Sequence, residues 1–166
     1  MRTWVALLIV AAVGCGDDGT SMDAAGDTSA EPEPAELACM EVEEAGTPIA
    51  AGEMRDSSAP EVTIGAEPYL VSLPVAGTGY LRVVTDAPEE PAILFFQTSG
   101  VLTDIYDDED TALGVTSAGE NPFCAAAIPE HFDLDFEVAG THYIELTAAS
   151  ETWLLISGAE GHAHME

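Results

Sequence analysis

The segment "DIYDDEDTALG" places Asp104, Asp107, Asp108, Glu109 and Asp110 within one short stretch. Ca²⁺ takes about six to eight oxygens at roughly 2.3 to 2.6 Å, and a dense acidic loop supplies several of them. The spacing departs from the EF-hand loop, whose ligands fall at fixed alternate positions around a central glycine. The reading is therefore a solvated acidic turn, with calcium as its sharper alternative. The tail "GAEGHAHME" offers a second candidate, because His162 and His164 share a face if the chain is extended. Imidazole suits Zn²⁺, Cu²⁺ or Ni²⁺, but two histidines make only part of a site. The candidate metal ligands are thus Asp104, Asp107, Asp108 and Asp110 for calcium, and His162 and His164 for a transition metal. No other cofactor is expected.

Few other residues carry reactive chemistry. His142 shares parity with Ile144 and Leu146 and reads as a partly buried strand residue, while His131, beside Glu130, reads as a turn residue. The chain has no lysine for Schiff-base chemistry, no Gly-x-Ser-x-Gly elbow, no His-Glu-x-x-His and no glycine-rich phosphate loop. Carboxylate pairs for glycoside hydrolysis exist by sheer number among 31 acids, which gives them no specificity. The expectation is a protein that is not an enzyme, with no catalytic residue; a small hydrolase is the remote alternative.

The elements that would position these residues are strands. In "FDLDFEV", Phe132, Leu134, Phe136 and Val138 point one way and Asp133, Asp135 and Glu137 the other, the signature of a strand with one buried and one wet face. Short apolar runs recur in "YLVSLPV", "GYLRVVT", "AILFFQT", "HYIELTA" and "TWLLISG", separated by Gly, Pro, Asp and Ser. No long segment has apolar residues at helical spacing. The pattern predicts an all-β fold over residues 37–160, a single antiparallel β-sandwich of jelly-roll-like form, followed by a flexible tail at 161–166.

Two stretches carry a family resemblance. "YLVSLPVAGTGYLRVVTDAPEEPAILFFQTSGVL" resembles the opening half of the bacterial pre-peptidase C-terminal domain, a small secreted β-sandwich, and "FDLDFEVAGTHYIELTA" is similar to its closing hairpin. The resemblance covers about 69–148. It makes Gly100 a turn glycine and has Gly140 and Thr141 open the last matching strand; Phe95 and Phe96 stand where the module has tyrosine, and its acidic residue is displaced to Asp86 or Glu90. It implies an accessory module that assists secretion or binds surfaces and supplies no catalytic residue.

The N-terminus reads as an address. Trp4 to Val13 are all apolar, yet as a helix they would span only about 15 Å, half a hydrocarbon core of about 30 Å. A short n-region with Arg2, an apolar run and small residues is the order of a secretory signal, here residues 1–14. "AVGC" resembles the lipobox of bacterial lipoproteins, which implies cleavage after Gly14 and lipidation of Cys15; Ala12 stands where leucine is commonest. Two or three acyl chains hold a protein on a membrane where one is marginal. Residues 15–36 then form a lipidated, acidic and disordered linker: from 16 to 36 there are seven acids, no base and one large apolar side chain, Met22. As a coil it would reach about 25 Å.

With Cys15 acylated, Cys39 and Cys124 remain in an oxidising compartment and are expected to pair. Closing a loop of about 85 residues would contribute roughly 4 to 5 kcal/mol in the chain-entropy model. The alternative is two separate buried thiols. Charge bounds the partners. The formal net charge is −28, and losing Arg2 with the signal makes it −29, with Arg55 and Arg82 the remaining bases. Such a chain repels nucleic acid phosphates and anionic headgroups and stays monomeric. The expected protein sits in the bacterial cell envelope, outside the cytoplasm, held by its lipid. Gly16 beside the acylated cysteine favours the outer membrane. Its partner is an envelope protein or glycan, and the sequence does not choose between them.

Overall fold

A computed structural model describes residues 32–158 apart from 66, 76, 88, 89 and 148. The signal, Cys15, most of the linker, His162 and His164 lie outside the described residues. The elements are one helix, α1 (Pro34–Glu41), and ten strands: β1 (Thr47–Ala50), β2 (Glu61–Val62), β3 (Tyr69–Ser72), β4 (Thr78–Thr85), β5 (Glu90–Phe96), β6 (Leu102–Tyr106), β7 (Ser117–Gly119), β8 (Glu130–Phe136), β9 (Gly140–Thr147) and β10 (Glu151–Gly158). They form two packed sheets, a six-stranded sheet A ordered β1-β3-β10-β5-β8-β7 and a four-stranded sheet B ordered β2-β4-β9-β6. The fold is an all-β sandwich.

Successive strands from β3 to β6 alternate between the sheets, and β8, β9 and β10 return beside them in reverse. The orders β3-β10-β5-β8 and β4-β9-β6 are those of a jelly roll. Two details depart from the expected antiparallel jelly roll. β1 pairs with β3, and β2 with β4, in parallel. The cause is the path: from β1 the chain crosses to the other sheet for β2 and comes back for β3, so each pair is joined by a crossover rather than a hairpin. The second departure is β7, which pairs with β8 at the edge of sheet A through an irregular register instead of completing sheet B.

Side-chain parity governs the core. On β9, His142, Ile144 and Leu146 are buried while their alternates are partly exposed. On β8, Phe132 and Phe136 are buried and Asp133 and Asp135 exposed. Val138 breaks the expected pattern at 66% exposed, because β8 ends at Phe136 and Val138 belongs to the turn into β9. Between the sheets the core gathers Leu81, Leu94, Phe96, Ile144, Leu154 and Ile156 among others. Each such side chain contributes about 1.5 to 3 kcal/mol on burial.

Sheet A is covered on its other face too. Phe95, Trp153 and Leu155 point away from sheet B and pack with Ile128 and with Ala38 of α1. This is why β10 is buried at six consecutive positions and why "ILFF" and "WLLI" run apolar without alternation.

The helix follows from Pro34, which presets the first-turn backbone after the extended Glu33, and from Glu36, whose charge suits the helix N-terminus. Its first three residues fall inside the segment expected as linker. A turn through Gly46, at φ +70°, leads it into β1. A Cβ there would sit 2.9 Å from Leu70 N and from the Tyr69 carbonyl carbon, so the chain passes β3 this closely only with glycine. Gly100, also at φ +70°, turns the chain between β5 and β6.

Candidate functional site

The acidic segment is a turn that ties itself together. Asp104 Oδ1 accepts hydrogen bonds from the backbone N–H of Ile105 at 2.8 Å and of Gly114 at 3.2 Å. Asp107 Oδ1 accepts from Glu109 N at 2.9 Å and Thr111 N at 2.7 Å. Asp110 adopts φ +65°, and its carboxylate pairs with Arg55 at 3.0 Å. Three of the four candidate calcium ligands are thus engaged by backbone or by an arginine. Among the described residues no three His, Cys, Asp or Glu side chains gather to hold a metal ion. Asp107, Asp108 and Glu109 line one side of a cleft of about 160 Å³ whose other side is Val138 to His142.

Acids crowd the whole domain: from 37 to 166 there are 24 against two arginines. Added NaCl is therefore expected to raise the melting temperature smoothly, because the screening length falls from about 30 Å at 0.01 M to about 3 Å at 1 M. CaCl₂ at matched ionic strength is expected to do no more than NaCl. A much larger calcium effect, lost when Asp104 to Asp110 are replaced by Asn or Gln, would make the turn a cation site through the linkage of binding to folding.

The two described histidines are structural. His142 is 2% exposed; its Nε2 donates to Val138 O at 3.0 Å and lies 3.3 Å from Thr85 Oγ1, and its ring packs on Phe136 at 4.5 Å. Nδ1 is left without a partner. It is more deeply buried than strand parity suggested. His131 is a strand residue rather than a turn residue: it lies in β8, its Nδ1 donates to Gly119 O at 3.0 Å across to β7, and its ring stacks on Phe95.

Cys39 and Cys124 are joined, with Cα atoms 5.8 Å apart across a sequence separation of 85. The bond links α1 to the turn before β8. Asn121, fully buried in that turn, adds to the fastening: its Nδ2 donates to Ala35 O at 2.9 Å and its Oδ1 accepts from Phe123 N at 2.9 Å.

The distinctive surface is the outer face of sheet B, which sequence reasoning did not single out. The register sets Glu61 beside Arg82, Arg82 beside Tyr143, and Tyr143 beside Tyr106, one row across four strands. In the next row Tyr80 stands beside Glu145. Arg82 donates to Glu61 Oε2 at 2.6 Å. Arg55, from the loop after β1, lays its guanidinium 3.8 Å over the Tyr106 ring while pairing with Asp110. Next to it, Asp56 is held below the usual carboxylate range by the Ser58 hydroxyl and N–H. Partial burial, and then the Glu145 charge, push the Tyr80 hydroxyl up from its ordinary value, with Arg55 opposing. Three of the four tyrosines and both arginines beyond Arg2 share this face. Aromatic rings with paired guanidinium and carboxylate groups favour binding, since tyrosine and arginine are the side chains enriched at interface centres. The signal in the sequence was parity: Tyr80 and Arg82, and Tyr143 and Glu145, alternate with apolar residues. Their adjacency needed the register.

No protein-family model matches the chain, and no curated protein matches it. Among solved structures the chain is similar to the pre-peptidase C-terminal domain of a collagenase from Bacillus anthracis, with a TM-score of 0.43 and 12% identity, over 63% of this chain and 99% of that one.

Proposed function

We propose that the chain is a lipid-anchored envelope protein whose sandwich is a non-catalytic binding or accessory module. The observation that carries the binding reading is the tyrosine and arginine row on sheet B, which gathers three of the chain's four tyrosines and two of its three arginines on one partly exposed face. It is supported by what the reactive groups are doing: both described histidines, Asp104, Asp107 and both described cysteines are engaged in holding the fold. In this reading the domain is a monomer outside the cytoplasm, its net negative charge keeps nucleic acid away, and its partner is an envelope protein or glycan met by the sheet B face. The anchor reading rests on "AVGC", and Gly16 after the acylated cysteine favours the outer membrane.

Cys15→Ala is expected to abolish incorporation of a palmitate analogue and to leave an unprocessed or soluble protein. Equal label in wild type and variant sinks the anchor. For the module, Tyr143→Ala combined with Arg82→Ala is expected to lower retention on washed envelope fractions at least tenfold while leaving the melting temperature within a few degrees. Unchanged retention removes the face from the reading.

A further inference from the structure

The outer face of sheet A is masked by a thin cover held against its own charge. The helix and its C-cap meet the sheet through small side chains, Ala35, Ala38 and Val42, at helical spacing. Beneath lie Phe95, Ile128, Trp153 and Leu155, all at most 3% exposed. Apart from the disulfide, three side-chain hydrogen bonds fasten the segment: Asn121 Nδ2 to Ala35 O, Gln97 Nε2 to Val42 O at 2.9 Å, and Trp153 Nε1 to Glu44 O at 3.3 Å. Glu33, Glu36, Glu41, Glu43 and Glu44 line this stretch without a base among them, on a domain that is itself strongly negative. Coulomb repulsion therefore pushes the segment outward. A covalent bond is what offsets it.

We propose that Cys39–Cys124 is a thiol-exchange site and that α1 is a redox-released latch. Both cysteines are only partly buried, and the neighbours on either side of the bond, Met40 and Phe123, are 65% and 54% exposed. Two of the large apolar side chains most exposed among the described residues thus flank the disulfide and give a protein dithiol an apolar footing. Its thiolate attacks one sulfur and forms a mixed disulfide, releasing the other cysteine as a thiolate that takes up a proton. The second thiol of the dithiol, losing its proton, then displaces the remaining cysteine, which is protonated in turn. The domain gains two electrons and two protons as the dithiol becomes a disulfide. With the bond gone, the small apolar contact and three water-exchangeable hydrogen bonds do not hold five carboxylates in place. The helix leaves, and the aromatic and aliphatic face of sheet A is uncovered while the sandwich stays closed. Where Cys15 is anchored as proposed above, release also adds residues 34–46 to the tether; the latch itself does not depend on the anchor.

The test uses the full-length chain in 0.1 M NaCl, where a screening length of about 10 Å leaves the repulsion among neighbouring carboxylates in place, with dithiothreitol as the probe and hydrogen exchange read by mass spectrometry. Alkylation confirms that Cys39 and Cys124 are free. The bond is expected to be reduced at a rate proportional to dithiothreitol concentration. Amides 35–44 are then expected to exchange at least tenfold faster while β4 and β9 keep their protection, and Cys39→Ser with Cys124→Ser is expected to reproduce this pattern without reductant. The proposal is overturned if the reduction rate saturates at the rate of global unfolding, since the bond is then reached only by unfolding. Unchanged exchange at 35–44 after reduction overturns it too, as does an equal acceleration in β4 and β9. Should the double variant not fold, reduction of the folded wild type decides alone.

Discussion

Replacing Cys39 and Cys124 together by serine is expected to lower the unfolding free energy by up to about 4 to 5 kcal/mol. The argument is entropic: the bond closes a loop across a sequence separation of 85, and in the chain-entropy model this constrains the unfolded ensemble far more than the folded one. The figure is an upper one because a freed α1 regains conformational freedom in the folded protein, which returns part of the loss. A net stability of about 5 to 15 kcal/mol makes this a large fraction of the total. For a domain of this length each kcal/mol corresponds to roughly 3 to 5 °C, so the melting temperature should fall by about 15 °C. Urea titrations of the oxidised protein and the variant in the same salt measure it. A loss below about 1 kcal/mol would mean the unfolded chain is not held by the loop, and the entropic account would fail.

Phe96→Ala is expected to cost about 3 to 5 kcal/mol, and Phe123→Ala at most about 0.5 kcal/mol. Phe96 is fully buried between the sheets; β5 pairs with β10 on one side and β8 on the other, and the ring meets Phe132 edge to face at 5.9 Å. Cutting it to a methyl leaves a cavity that neighbours on two paired strands cannot close. Phe123 is more than half exposed in the turn beside Cys124 and loses little surface from contact. The same substitution at two positions separates burial from residue type. Similar losses in denaturant titration would contradict the burial argument.

Much of the sandwich was legible because a strand with one buried face must alternate. "HYIEL" and the body of "FDLDF" obey that rule, and the structure buries the parity the rule selects. The alternation misled at Val138, since a periodic pattern does not say where pairing stops; the turn into β9 does. The apolar runs around Phe95 and Trp153 marked strands without saying that both faces were covered. Their cover, α1, left little trace in the sequence, because a helix of eight residues meeting the sheet through two alanines has no strong apolar stripe. His131 was misplaced for a related reason: the strand began one residue before it.

What the sequence determined by itself was the strand class, the inward parity of the longer strands, the pairing of the two cysteines beyond Cys15, and the dominance of negative charge. These are local or compositional properties, set by side-chain period and residue counts. Only the tertiary structure decided which strands lie side by side, that β1 and β2 join their sheets in parallel, that Glu61, Arg82, Tyr143 and Tyr106 form one row, and that Asp104 and Asp107 turn their oxygens to their own backbone. Adjacency between segments tens of residues apart depends on crossovers between sheets and on register. A shift of one residue in β9 would turn Tyr143 into the core and Ile144 to water, so the face exists only because burial of the whole sandwich selects a single alignment.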